Sequence, residues 1–151
     1  MTEAHQITFN ELSSDPMFQT LIDGYADESA MEGLPPVDCQ YHTYEAMCAA
    51  GIIFVLGAYH DDILCGFAVV ITSIVPHYGV CVAATESFFV APDKRDTGAG
   101  LMLLRKAERV AQTRGAVGFL VSAPTGGRLE DVMIKSSTYK ERNRVFFKGL
   151  V

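Results

Sequence analysis

The chain has no tryptophan, and its 12 lysines and arginines are outnumbered by 18 aspartates and glutamates, for a formal net charge of -6. That balance excludes the dense basic face that a phosphate backbone requires, so no nucleic-acid partner is expected. A small local pocket for one anionic ligand is still allowed. No apolar run approaches the roughly 18 residues of a membrane helix, and "MTEAHQITFNEL" lacks the charged-then-apolar order of a secretory leader. No membrane partner is expected either. The four cysteines, Cys39, Cys48, Cys65 and Cys81, form no CxxC pair and no zinc spacing with the four histidines. Reduced thiols in a cytoplasmic protein without a metal are the plain reading. Charged residues are scarce at 20% against 49% hydrophobic, which excludes disorder. The 151 residues carry no repeat or long linker, so one domain over 1–151 is expected.

What is present is a series of short apolar elements. "HQITFNEL" alternates like a strand, and Asp15-Pro16 looks like a helix start followed by Phe18, Leu21, Ile22 and Tyr25 at helical spacing. A second helix is predicted from His42 to Ala50. "IIFVLGAY", "ILCGFAVVITSIV" and "VCVAATESFFV" then read as an antiparallel meander, apolar at nearly every position and therefore covered on both faces. An amphipathic helix follows, with Leu103, Leu104, Ala107, Val110 and Ala111 on one face. "AVGFLVSAP" reads as a buried strand, parallel to its neighbour through a right-handed crossover. "LEDVMIK" is a short helix and "NRVFFKGLV" a last strand. The fold class is α/β with a mixed sheet.

The informative junction is "VAPDKRDTGAGLMLL", where a strand gives way to the amphipathic helix. The first amides of a helix lack partners and sit at the positive end of its dipole. Gly98 and Gly100 keep side chains away from those amides, while Arg95 and Thr97 add donors, so the junction suits a phosphate or pyrophosphate. A P-loop is ruled out because no lysine follows the glycines, and a dinucleotide fingerprint because Leu103 stands where its third glycine belongs.

The run V-x-P-x-x-R-x-x-G-x-G, leaving an apolar strand and entering a helix, resembles the acetyl-CoA-binding motif of the GNAT N-acetyltransferase superfamily, most sharply from Glu86 to Pro124. The resemblance implies a GNAT-like fold with acetyl-CoA as cosubstrate and no metal. It implies that Arg95, Asp96, Thr97, Gly98, Ala99 and Gly100 wrap the pyrophosphate, and that Phe88, Phe89 and Val90 pair with the pantetheine arm. The strands around Phe88–Val90 and Gly118–Ser122 would splay apart to admit cofactor and acceptor. A backbone amide near Phe89 or Val90 would meet the developing oxyanion. Relatives often carry an asparagine beyond the second strand; Ser122 or Thr125 would have to substitute here.

The expected chemistry is transfer of an acetyl group to a primary amine of a small molecule or peptide by direct attack. Glu86 is the candidate base. By two-residue alternation it shares a face with Val82, Ala84, Phe88 and Val90, which predicts a desolvated carboxylate, unless a bulge turns it to the other face. A structural role for Glu86 is the alternative. Tyr139 is the candidate general acid by resemblance, but it aligns equally with the aromatic residue that opens the last strand. The loops and helices carrying Asp23, Asp27, Glu28, Glu32 and Asp38 would form an acidic rim for a cationic acceptor, and Tyr25, Tyr41 and Tyr44 an aromatic wall, unless solvation and core packing account for them. The rival function is a catalytically inactive coenzyme A-binding sensor of the same fold. The apolar C-terminus, "RVFFKGLV", fits an edge strand of a homodimer.

Overall fold

The computed structural model describes residues 1–150. Its elements are β1 (Thr2–Ile7), α1 (Phe9–Ser14), α2 (Phe18–Ser29), α3 (Tyr41–Ala49), β2 (Ile53–His60), β3 (Ile63–Val75), β4 (Val80–Val90), α4 (Ala99–Thr113), β5 (Phe119–Leu120) and α5 (Arg128–Lys135), with a 3-10 turn at Pro92–Lys94. The strands form one sheet in the order β1-β2-β3-β4-β5. Every neighbouring pair is antiparallel except β4 and β5, which are parallel. This is the mixed α/β architecture expected.

Both faces of the sheet are covered, as the near-continuous apolar strands require. On one face Phe54, Leu56, Ala58 and Val70 pack against Leu103, Ala107 and Ala111 of α4. On the other, Ile53, Val55, Phe67, Val69 and Phe89 meet Phe9, Leu12, Phe18 and Leu21 of the first two helices. Among the described residues no helix is long and apolar enough to cross a membrane.

Three expectations are corrected. The first strand does not run on through "TFNEL": a short helix, α1, begins after Thr8. The Thr8 hydroxyl accepts from the Glu11 amide at 3.0 Å and the Glu11 carboxylate accepts from the Thr8 amide at 2.6 Å, a reciprocal cap that ends extended structure there. Second, the strand expected in "AVGFLVSAP" is paired over only two residues, Phe119 and Leu120, because the chain diverges from β4 beyond Ala84. Third, "NRVFFKGLV" forms no strand in residues 143–150. So short a β5 offers no ladder on which another strand could be built. The tail instead lays Phe147 against the loop after α2, where a Cβ added to Gly33 would stand 3.1 Å from the Phe147 ring.

Candidate functional site

The junction after β4 is shaped as a helix terminus open to ligand. Gly98 takes φ +86°, the left-handed conformation that glycine adopts without cost, and turns the chain into α4. The first helical bond is made by the Met102 amide to the Gly98 carbonyl at 3.0 Å. The amides of Ala99, Gly100 and Leu101, ahead of it, lack intrahelical partners. A Cβ added at Gly98 would meet nothing within 4 Å, and one at Gly100 only Val90 and Phe88 at 3.8 Å or more. Side chains at these positions would therefore fill the space in front of the amides, and glycine keeps it clear for an anion of phosphate type.

The side chains expected to help are differently engaged. Arg95 donates from Nε to the Val90 carbonyl at 2.9 Å and from Nη2 to Glu28 at 2.6 Å, and its guanidinium lies 5.4 Å from the Phe89 ring centroid. It clamps the end of β4 to α2. Thr97 donates its hydroxyl to the Lys94 carbonyl at 2.6 Å. Asp96 is exposed, and Ala99 buries its methyl in the α4 core while its amide stays at the helix end. Arg128, the first residue of α5, reaches the Arg95 carbonyl at 3.3 Å.

Next to this junction the sheet opens. β4 and β5 are paired only at Ala83–Phe119 and Ala84–Leu120. The Ser122 amide then donates to the Thr85 hydroxyl at 3.0 Å. Beyond that contact the edge of β4 from Glu86 to Val90 has no strand partner among the described residues, and Phe88, Phe89 and Val90 lie along it.

Glu86 sits at a bulge in β4. Val69 pairs with Ser87 and Val70 with Thr85, leaving Glu86 as the extra residue. The bulge breaks the expected alternation: Phe88 and Val90 pack on the α4 side, whereas Glu86 and Ser87 both line a pocket on the side of α1, α2 and α3. The carboxylate is consequently exposed rather than buried among Phe88 and Val90. The pocket, about 250 Å³, is walled by Phe9, Phe18, Tyr25, Tyr44 and Phe67. The Tyr44 hydroxyl donates to Glu86 Oε1 at 2.5 Å, and the Tyr44 ring stacks on Phe9 at 4.7 Å between centroids. Burial, followed by the hydrogen bond to Glu86 and its charge, pushes the Tyr44 phenol far above its ordinary range. Burial and then the Glu86 charge also raise Tyr25, and burial, Glu86 and Asp38 raise the Cys39 thiol. These three groups are held in their neutral, proton-bearing forms around one carboxylate.

Tyr139 is not part of this cluster. Its hydroxyl donates to Glu108 of α4 at 2.5 Å, and burial together with that carboxylate raises its phenol. The structure brings Glu86 together with Tyr44, Tyr25 and Cys39, and places Tyr139 on α4, which covers the opposite face of the sheet. The Tyr44–Glu86 contact spans 42 positions and leaves no periodic signal in the chain. Among the described residues no group of three histidine, cysteine or acidic side chains is arranged to hold a metal ion.

The same fold is found in known proteins. No curated protein matches the chain by sequence. Ribosomal-protein-alanine N-acetyltransferase from Brucella melitensis biovar Abortus 2308 superposes with a TM-score of 0.73 at 17% identity, covering 98% of this chain and 99% of that one. An aminoglycoside acetyltransferase from an uncultured soil metagenomic sample gives 0.75 at 16% identity over 99% and 97% of the two chains. The aminoglycoside acetyltransferase AAC(6')-Iy, in complex with the bisubstrate analogue CoA-S-monomethyl-acetylneamine, gives 0.74 at 18% over 98% and 97%. At such identities these likenesses speak for the fold. The sequence model of the Acetyltransferase (GNAT) family matches residues 15–126, a span that runs from the end of α1 through the glycine junction and past the open edge of β4. With most of its length inside that match, the chain belongs to the GNAT acetyltransferase family.

Proposed function

We propose that the protein is an acetyl-CoA-dependent N-acetyltransferase in which Glu86 accepts the proton of a primary amine, on a small molecule or a peptide. One observation carries this reading: a solvent-reached carboxylate stands at a strand bulge, facing a pocket, beside the strand edge that the β4–β5 divergence leaves open. Acetyl-CoA, when bound, supplies the acyl carbon and a thiolate leaving group. The amides of Ala99, Gly100 and Leu101 would hold its pyrophosphate, and the free edge of β4 its pantetheine arm.

Tyr44 fixes Oε1 of Glu86, which leaves Oε2 to take the proton from the acceptor ammonium. A positioned carboxylate of this kind contributes roughly 100-fold or more to rate. Tyr139 is assigned an anchoring role toward α4, since its hydroxyl is committed to Glu108. The four free cysteines suit a cytoplasmic setting, and the exposed apolar tail supports a homodimer.

Calorimetric titration of acetyl-CoA, paired with thiol-release assays on an amine panel, tests the reading. The wild type should bind in the micromolar range. Gly100→Leu, which meets no protein atom closely at its Cβ, should fold and fail to bind. Glu86→Gln should bind normally and lose turnover. Binding by the wild type with no turnover on any amine would make it an inactive coenzyme A-binding module instead.

A further inference from the structure

The pocket at Glu86 adjoins a second space. The inner chamber of about 250 Å³ and an outer one of about 230 Å³ share Ile22, Val37, Asp38 and Cys39 along their common boundary. The inner chamber is dominated by Phe9, Leu12, Phe18, Phe67 and Val69, with Glu86 as one of its two carboxylates. The outer chamber adds Gln19, Asp23, Ala26 and Tyr41. Carboxylates therefore stand in both chambers: Glu86 in the inner, Asp23 in the outer and Asp38 on their shared wall. Among the described residues neither chamber is lined by a lysine, arginine or histidine.

Asp23 and Asp38 accept hydrogen bonds from neutral partners, Gln19 at 2.8 Å and Gln40 at 3.0 Å. These bonds orient the carboxylates without cancelling their charge. Three anions facing two adjoining spaces, with no cation among the described lining residues, create a local field that draws in positive charge. The apolar walls between them set a second condition. Hydroxyl groups placed against Phe9, Phe18, Phe67 and Val69 would lose water without gaining a partner, at a cost of about 1–3 kcal/mol each. A methylene chain meets those walls at a gain, and the Tyr25 and Tyr44 rings can accept a cation over their faces.

We propose that the acceptor is a small α,ω-diamine: two ammonium groups joined by an unbranched apolar spacer, with the reacting nitrogen at Glu86 and the distal ammonium at Asp38 and Asp23. The proposal rests on the acetyltransferase reading. The reacting ammonium gives one proton to Glu86, its nitrogen forms the N–C bond to the acetyl carbon as the C–S bond breaks, and the second proton leaves the nitrogen as the amide forms and balances the one the thiolate takes up. The departing thiolate takes up a proton, so the products are the mono-N-acetyl diamine, which keeps its distal charge, and coenzyme A thiol.

The test pairs diamines of increasing methylene count with n-alkylamines of matched length. Thiol release and calorimetric binding of the amine itself are measured for the wild type and for Asp23→Asn/Asp38→Asn. Both substituted carboxylates are exposed, and thermal unfolding confirms that the variant folds. The proposal expects an optimum in spacer length and at least a tenfold kcat/KM advantage for the best diamine over its monoamine. That advantage should collapse in the double variant through KM while kcat is kept. Monoamines serving as well as diamines, or a double variant that retains the preference, overturn the diamine assignment while leaving the acetyltransferase reading intact. Diamine binding that the double variant loses, together with absent acetyl-CoA binding, supports the pocket assignment and removes the acetyltransferase reading.

Discussion

The Tyr44 hydroxyl and Glu86 Oε1 are joined by a 2.5 Å hydrogen bond that ties α3 to the bulge of β4 across the pocket. The donor cannot swing away easily, because the Tyr44 ring is stacked on Phe9 with only 12° between the planes. Removing the hydroxyl in Tyr44→Phe keeps the stack and frees the carboxylate to rotate. A hydrogen bond to a charged group is worth about 1.5–3 kcal/mol, less where water competes. The expected result is a fall of about tenfold in kcat and a melting temperature lowered by a few degrees, with coenzyme A binding little changed. Tyr44→Leu should lose both activity and stability. Steady-state kinetics alongside thermal unfolding separate these outcomes.

Tyr44 and Tyr139 share a second consequence. Each donates to a carboxylate from a partly buried site, and each phenol is raised above its ordinary value of 10.0. In the unfolded chain both ionise near that ordinary value, so the unfolded state gives up these protons first. Their contribution to stability is thus complete below pH 10 and is lost as pH rises toward the folded-state values. Urea midpoints measured from pH 8 to pH 11 should fall above about pH 10. Tyr44→Phe/Tyr139→Phe should fall less steeply over the same range. A double variant with an unchanged slope would remove these two tyrosines as the cause.

Much of this fold can be read in the chain before any coordinates. The apolar meander, the α4 face and the Gly98–Gly100 junction announce themselves through local spacing, and each appears where that spacing puts it. Glu86 was legible as a candidate but its surroundings were not. Alternation places it with Phe88 and Val90, and one extra residue in β4 reverses the relationship. A bulge of that kind depends on how β3 and β4 pair, which no short window contains. The cap at Thr8 and Glu11 did have a local signature, Ser/Thr-x-x-Glu before an apolar run, hidden by the strand-like alternation around it. The tail failed differently: "RVFFKGLV" has the composition of a strand, but a strand also needs a partner edge, and β5 is too short to provide one.

Arg95 is expected to matter more for stability than for charge at the cofactor. Its side chain is 24% exposed, it bonds the Val90 carbonyl and Glu28, and it rests on Phe89, which packs beneath α2. Arg95→Ala should destabilise the fold by about 1–2 kcal/mol, discounted for the half-exposed Glu28. Nε meets the Val90 carbonyl and Nη2 meets Glu28 from one planar fork, a geometry a lysine ammonium does not reproduce, so Arg95→Lys should recover little. Acetyl-CoA affinity at a temperature where both variants are folded should fall less than in Gly100→Leu. Complete loss of binding in a fully folded Arg95→Ala would transfer the main anion contact from the α4 amides to this guanidinium.

The tail supplies the last expectation. Val145, Phe146 and Leu150 are 88%, 90% and 90% exposed, and they flank a Phe147 that is itself only half covered. Burying one such side chain is worth about 1.5–3 kcal/mol, and a twofold interface buries each of them twice. Pairing of two tails across a twofold axis would bury the apolar side chains of both and give their unpaired backbone a partner. The protein should run as a dimer at micromolar concentration in light scattering. Phe146→Glu/Leu150→Glu should convert it to a monomer that still binds acetyl-CoA, because both residues are exposed and neither lines the pocket at Glu86. A monomeric wild type, or a double variant that remains dimeric, would show that the tail is not the interface.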